Sequence, residues 1–295
     1  MTRVPPLIAA LMLTALVAAC RAPEPALSTA GPTVRVLSPP MAIPGLDRTR
    51  TLRIYLPPSY ATSDRRYPVI YMHDGQNLFD AATSFAGEWG VDEAMAGLAQ
   101  AHGFEAIVVG IDNGAEKRMN ELSAWSHPQF GAGEGAQYLA FLVEVVKPHI
   151  DQHYRTESGR VSTAIMGSSM GGLASHHAIL ARPDVFAMAG VLSPSYWVAP
   201  QLYDEVKAKP LPADARVYVY AGGKEGAETT ADAQRMYAQL AATTAPENLA
   251  LTIVDSAEHN EAAWRAEFPR AVSWLFRLET PRPPTGDKSD RSPRR

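Results

Sequence analysis

Apolar and polar positions follow two different rhythms along this 295-residue chain. Seven short stretches are apolar, β-branched or aromatic with little interruption: TLRIYLP (51–57), YPVIYMHDG (67–75), EAIVVGID (105–112), VSTAIMG (161–167), AGVLSP (189–194), RVYVYAGG (216–223) and LALTIVD (249–255). Their length predicts strands, and their near-continuous apolarity predicts a sheet buried on both faces. Helical spacing appears at 134–154, where Glu134 stands near the start, and at 171–183, 229–243 and 261–278. Pro183 stops the second of these, and Pro269 is a candidate kink in the last. Strands alternating with helices predict a three-layer α/β domain, with a mostly parallel central sheet and helices on both faces. Such sheets bind ligands beyond the carboxyl ends of their strands. The chemistry is therefore sought just after each strand.

The two ends of the chain break this rhythm. Arg3 precedes an apolar run from Leu7 to Ala19 that is short for a membrane span and suits a signal peptide at residues 1–19. The run ends in LVAAC, which resembles a bacterial lipobox. That resemblance implies cleavage before Cys20, lipid on its thiol, and an exported protein anchored to a bacterial membrane. Arg21, rather than Asp, favours the outer membrane by the same resemblance. Cys20 is the only cysteine, so the mature fold has no disulfide. Residues 20–33 are rich in Pro, Ala and Ser and read as a flexible tether. Residues 279–295 are Pro-rich and charged and read as a disordered tail. The folded domain is expected at 34–278. A composition 46% hydrophobic and 20% charged with net charge −4 is ordinary and gives no pull toward nucleic acid. The eight histidines have no cysteine cluster beside them, so no metal site and no cofactor is expected.

The stretch AIMGSSMGG (164–172) closes an apolar run and opens a helical one. Gly167-Ser168-Ser169-Met170-Gly171 matches G-x-S-x-G, with strand before and helix after, as a nucleophile on a sharp turn requires. Close neighbours on such a turn cannot carry side chains, hence the glycines. Ser169 is the candidate nucleophile, at a helix N-terminus that favours developing negative charge. Ser168 lacks flanking glycines at the right offsets. A serine hydroxyl needs a base held by an acid, which follow it in the order acid, then His. His259 is the one histidine after His177, and it lies between the last strand and the last helix. His176 and His177 are on the serine's own helix and read as packing residues. For the acid, Glu225 and Glu228 follow the strand at 216–223, and Asp255 ends the next one. Glu225, first after the Gly-Gly turn, leads on spacing.

An oxyanion hole needs two N–H groups. Met170 offers one by its position, and Gln76, after the Asp74-Gly75 turn, is the candidate for the second. His73 and Asp74 come too early for the relay and are expected to shape that loop. The loop 112–133 is long for a compact domain. Arg118 and Glu121 are expected to pair within it. Trp89, Trp125 and Trp197 are candidates for lining an acyl or aromatic pocket, and Arg118 for binding an anionic substrate group.

Six segments stand in a familiar order: YMHDGQNLFD, SFAGEWGVDEAM, VVGIDN, GSSMGG, GGKE and EHNEAAW. Over residues 45–278 the chain resembles a bacterial esterase family of α/β-hydrolases. That family includes enterochelin esterases, feruloyl and acetyl-xylan esterases, S-formylglutathione hydrolases and mycolyltransferases. The resemblance implies an α/β-hydrolase fold and a serine carboxylesterase acting through an acyl-enzyme on a small-molecule ester, such as a siderophore or phenolic ester. It assigns Ser169 as nucleophile, His259 as base and Glu225 as acid, with Met170 and Gln76 as the oxyanion hole. Some members lack a clear acid. Two alternatives are an acyltransferase of the mycolyltransferase type and a non-catalytic binding lipoprotein on the same scaffold.

Overall fold

The computed structural model describes residues 27–278. The leader, Cys20 and the charged tail lie outside them. Eight strands form one sheet: β1 (Val34–Ile43), β2 (Arg48–Tyr55), β3 (Val69–His73), β4 (Ile107–Ile111), β5 (Thr163–Ser168), β6 (Met188–Leu192), β7 (Arg216–Gly222) and β8 (Leu249–Val254). Their spatial order is β1-β2-β4-β3-β5-β6-β7-β8. The first two pairings are antiparallel and the rest are parallel. Every residue of β3, β4 and β6 is buried, which is why these runs read as unbroken apolar sequence.

The helices are α1 (Val91–His102), α2 (Arg118–Glu121), α3 (Gly135–Phe141), α4 (Lys147–His153), α5 (Met170–Ala181), α6 (Gln201–Ala208), α7 (Ala227–Leu240) and α8 (Glu261–Leu275). Alternate strand residues feed two cores. Val69, Tyr71 and Ile165 point to the side covered by α3 to α7. Ile70, Met72 and Met166 point to the side covered by α1 and α8, where Val91, Met95, Phe268 and Val272 meet them. Each fully buried Ile, Met or Phe contributes about 1.5–3 kcal/mol relative to exposure. This is the expected three-layer architecture. Among the described residues no helix is long and apolar enough to cross a membrane.

Four elements depart from the sequence expectation. β1 was not foreseen, because its Pro39-Pro40 pair and mostly exposed residues suit only an edge strand; its register shifts between Leu37 and Met41. α1 has a thin apolar stripe, Val91, Met95 and Leu98, interrupted by Gly97. α6 is short and mostly polar. The predicted helix 134–154 is α3 and α4 joined by a π-helical turn at Leu142–Val146. Pro148, in the first turn of α4, has no N–H to give to the carbonyl of Glu144, and the widened turn absorbs that loss.

Two polar ties fix the periphery. Glu121, 1% exposed, accepts from Arg48 Nη1 at 2.6 Å and from Arg50 Nη2 at 2.7 Å, clamping the loop after β4 onto β2. The last residues of the stretch read as a tether are also held. Ser28 Oγ donates to Asp80, Thr29 Oγ1 to Glu88 and Gly31 N to Asp92, at 2.8–2.9 Å.

Two core histidines give the fold a pH dependence. His73 shares its Nδ1 with Tyr138 Oη, and His176 its Nδ1 with Tyr196 Oη, both at 2.9 Å. Burial lowers His73 to about 4 and His176 to about 3. Both are neutral in the folded chain, whereas the unfolded chain binds protons below about pH 6.5. Their contribution to stability is therefore complete above pH 6.5 and is lost as pH falls from there toward 4 and 3. Replacing His176 by Phe should flatten the slope of unfolding free energy against pH between 6.5 and 4 by about 1.4 kcal/mol per pH unit. Urea titrations across that range measure it, and an unchanged slope contradicts it.

Candidate active site

β5 ends at Ser168 and α5 begins at Met170; Ser169 sits between them at φ 57°, ψ −120°. That conformation costs a non-glycine residue about 1–3 kcal/mol and persists only where its surroundings impose it. Here Ser169 N–H donates to Leu192 O at 2.9 Å, and Ser195 N–H donates to Ser169 O at 3.1 Å. Both backbone groups of the turn are thus tied to the segment leaving β6. Glycines leave room for the turn itself and for its approach to β6. A Cβ on Gly167 would lie 2.8 Å from the Gly171 carbonyl carbon, and one on Gly172 would lie 2.7 Å from Leu192 O. Met170 is the first residue of α5, so its N–H has no intrahelical acceptor. Ser168 is buried at the strand end.

The turn opens into a cleft of about 860 Å³, whose lining includes Asp74, Gln76, Phe85, Trp89, Arg118, Ser169 and His259. This is an ordinary size for a small-molecule site. His259 enters from the loop between β8 and α8, with its side chain 41% exposed. Its Nδ1–H donates to Glu225 Oε2 at 2.8 Å. The Glu225 side chain is fully buried and takes two further bonds on Oε1, from Gly222 N–H and Ser193 Oγ, both at 2.6 Å. Glu228 and Asp255 are exposed and neither bonds to His259. Of the three candidate carboxylates, Glu225 is the one placed against His259.

With Nδ1 committed to the carboxylate, Nε2 is the ring nitrogen of His259 left for proton transfer. Among the described residues, Ser169 Oγ lies within hydrogen-bond distance of Ser195 Oγ, at 3.1 Å. No hydrogen bond joins Ser169 Oγ to His259 among the described residues, and catalytic hydrogen bonds of that kind commonly tighten only when substrate binds. A hydroxyl at a helix N-terminus, an imidazole and a buried carboxylate are the groups that nucleophilic acyl transfer needs.

The cleft wall differs from the sequence expectation in one pairing. Arg118 does not pair with Glu121. Its Nε and Nη2 donate to the two oxygens of Asp74 at 2.6 and 2.8 Å, a bidentate contact that a neighbour on the same short helix does not offer. Burial alone would raise the Asp74 carboxyl, but the Arg118 guanidinium and the Asn113 amide hold it below its usual range. Asp74 itself has φ 58° and shapes the turn that carries Gln76. Gln76 Oε1 accepts from Asn113 N–H at 3.0 Å, which ties that turn to the loop after β4.

The three tryptophans separate. Trp89 lines the cleft, though mostly buried against Trp264 and Phe268. Trp125 lies outside it, half-buried and edge-on to His177. Trp197 is 57% exposed beside His127 and Phe130, and borders a separate groove of about 430 Å³ whose lining includes Pro194 and Glu228. His176 and His177 pack away from the cleft, His177 against Glu205 at 3.0 Å. Sequence reasoning missed Ser193, Ser195 and Trp264. Ser193 and Ser195 follow the carboxyl end of β6, so the strand-end rule could have flagged them. Trp264, on the face of α8 turned to the sheet, carried no such signal.

The profile of the "Putative esterase" family matches residues 43–275. Over 242 residues the chain is 27% identical to uncharacterized protein YbbA of Bacillus subtilis (strain 168), covering 77% of this chain and 92% of that one. It is 26% identical over 195 residues to ferri-bacillibactin esterase BesA of the same organism, covering 59% of this chain and 62% of BesA. The crystal structure of the BES protein from Bacillus cereus superposes with TM-score 0.68 at 17% identity, over 83% of this chain and 95% of that one, and so shares the fold. The family match spans β2 to β8, the strained turn and the cleft beyond the strand ends: the chain belongs to the "Putative esterase" family and is an ester hydrolase.

Proposed function

We propose that the chain is a serine carboxylesterase working through an acyl-enzyme, with Ser169 as nucleophile, His259 as general base and Glu225 as the acid that orients it. The observation carrying this reading is the 2.8 Å contact between His259 Nδ1 and the buried Glu225 carboxylate, in the cleft that Ser169 opens into. In the first step Ser169 Oγ attacks the ester carbonyl carbon while His259 Nε2 takes its proton. The carbonyl oxygen becomes an oxyanion facing the N–H groups of Met170 and Gln76. Collapse expels the alcohol, which takes the proton back from His259. Water then repeats the sequence on the acyl-enzyme, releasing the acid and free Ser169.

The substrate class we infer is an ester carrying an aromatic acyl group, such as a siderophore or phenolic ester. Phe85 offers aromatic surface in the cleft beside the largely buried Trp89, and Arg118 lines it too, with Nε and Nη2 held by Asp74. The relative named ferri-bacillibactin esterase supports the siderophore alternative. We also propose, from LVAAC alone, that Cys20 carries lipid and holds the enzyme at a bacterial membrane.

Two experiments test these readings. With p-nitrophenyl acetate, Glu225→Gln should lower kcat by about 10- to 10⁴-fold, the upper end being the loss seen when a triad carboxylate is neutralised. Glu228→Gln and Asp255→Asn should stay within about threefold of the parent, since losing an exposed carboxylate unconnected to the base removes no transition-state interaction. If Asp255→Asn is the more damaging change, the acid is misassigned. For the anchor, Cys20→Ser should release the protein from the membrane fraction, and unchanged membrane association contradicts lipidation.

A further inference from the structure

The segment leaving β6, Ser193-Pro194-Ser195, touches both ends of the proposed relay. Ser195 meets the nucleophile, as described. Ser193 meets the acid. It is fully buried, with φ 44° and its N–H tied to Tyr220 O at 2.7 Å. Its hydroxyl has two partners of opposite kind. The indole Nε1–H of Trp264 donates to Ser193 Oγ at 2.9 Å, which occupies the hydroxyl as acceptor. The hydroxyl proton is therefore directed to Glu225 Oε1 at 2.6 Å. Trp264 in turn stands edge-on to the His259 ring, with centroids 5.0 Å apart at 85°. The four side chains form a closed circuit: His259 to Glu225, Glu225 to Ser193, Ser193 to Trp264, and Trp264 back against His259.

A carboxylate can turn about its terminal bond. Two donors on Oε1, Ser193 and Gly222 N–H, fix that turn so that Oε2 faces the imidazole. The donation runs one way because an indole N–H cannot accept. Buried polar groups of this kind hold geometry when every partner is present. Resting on the reading of Glu225 as the acid, we propose that Ser193 is a positioning residue. Its hydroxyl, oriented by Trp264, sets the Glu225 carboxylate in the plane that serves His259.

The test is a double-mutant cycle with p-nitrophenyl acetate as substrate. Ser193→Ala and Ser193→Gly each remove the hydroxyl, and the glycine also relieves the left-handed backbone. Both should lower kcat by about 10- to 100-fold, the scale of a misplacement of about 1 Å, with KM within about twofold. In the Glu225→Gln background the same substitutions should cost less than about twofold more, because the hydroxyl acts through that carboxylate. Trp264→Phe, which keeps a ring against His259 but loses the N–H, should lower kcat in the same direction by less. Thermal melts on each variant confirm that the fold is present, and Trp264→Phe stands in if either serine variant fails to fold. Three results overturn the proposal: Ser193→Ala and Ser193→Gly keeping parental kcat, Ser193→Gly behaving as the parent while Ser193→Ala does not, or losses that multiply in the Glu225→Gln background. The reading of Glu225 fails separately, through a harmless Glu225→Gln, and the proposal then falls with it.

Discussion

The site rests on one strained residue. Ser169 occupies a left-handed conformation that its side chain disfavours by about 1–3 kcal/mol, and the rest of the local structure serves to hold it there. Its N–H is fixed by Leu192 O and its carbonyl by Ser195 N–H, so the turn cannot relax without breaking bonds to the neighbouring strand's exit. Gly172 lets the start of α5 approach the exit of β6, and Gly167 lets the end of β5 pack against Gly171 within the turn. The strain is offset by this lattice, and what it achieves is exposure. Ser169, at the N-terminus of α5, lines the cleft.

Parallel pairing then determines what can stand around that hydroxyl. β5, β6, β7 and β8 lie side by side and point the same way, so their exits open onto one edge. The exit of β6 brings Ser193 and Ser195, that of β7 brings Glu225, and that of β8 brings His259. Residues 26 to 34 positions apart become hydrogen-bond partners at these exits, and α8 brings Trp264 to Ser193 from 71 positions away. On the opposite wall, Arg118 and Asp74 pair bidentately and join the loop after β4 to the turn after β3.

The sequence carried the parts of this arrangement that are local. A G-x-S-x-G between an apolar run and a helical pattern is a steric signature. His259 was singled out by order and Glu225 by its place after a Gly-Gly turn. Partner choice in three dimensions was not legible. Arg118 and Glu121 looked like a pair within the long loop, yet each found a better-placed partner, Asp74 44 residues away for one and Arg50 71 residues away for the other. Ser193 lies in a run that read only as a strand end, and its meaning depends on a tryptophan 71 residues later. The tryptophans Trp89, Trp125 and Trp197 could not be sorted by type, because cleft, core and surface all accept an indole. β1 and α1 escaped because their apolar stripes are thin, and both elements are held by neighbours more than by their own pattern.

The central claim is that Ser169 Oγ becomes covalently acylated in turnover, and covalent labelling tests it most directly. Treatment with a fluorophosphonate followed by peptide mass spectrometry should give a single adduct, on the peptide containing Ser169. The adduct should vanish in a folded Ser169→Ala protein, together with ester hydrolysis. An adduct that survives Ser169→Ala, or parental ester turnover with no adduct formed, would contradict the account.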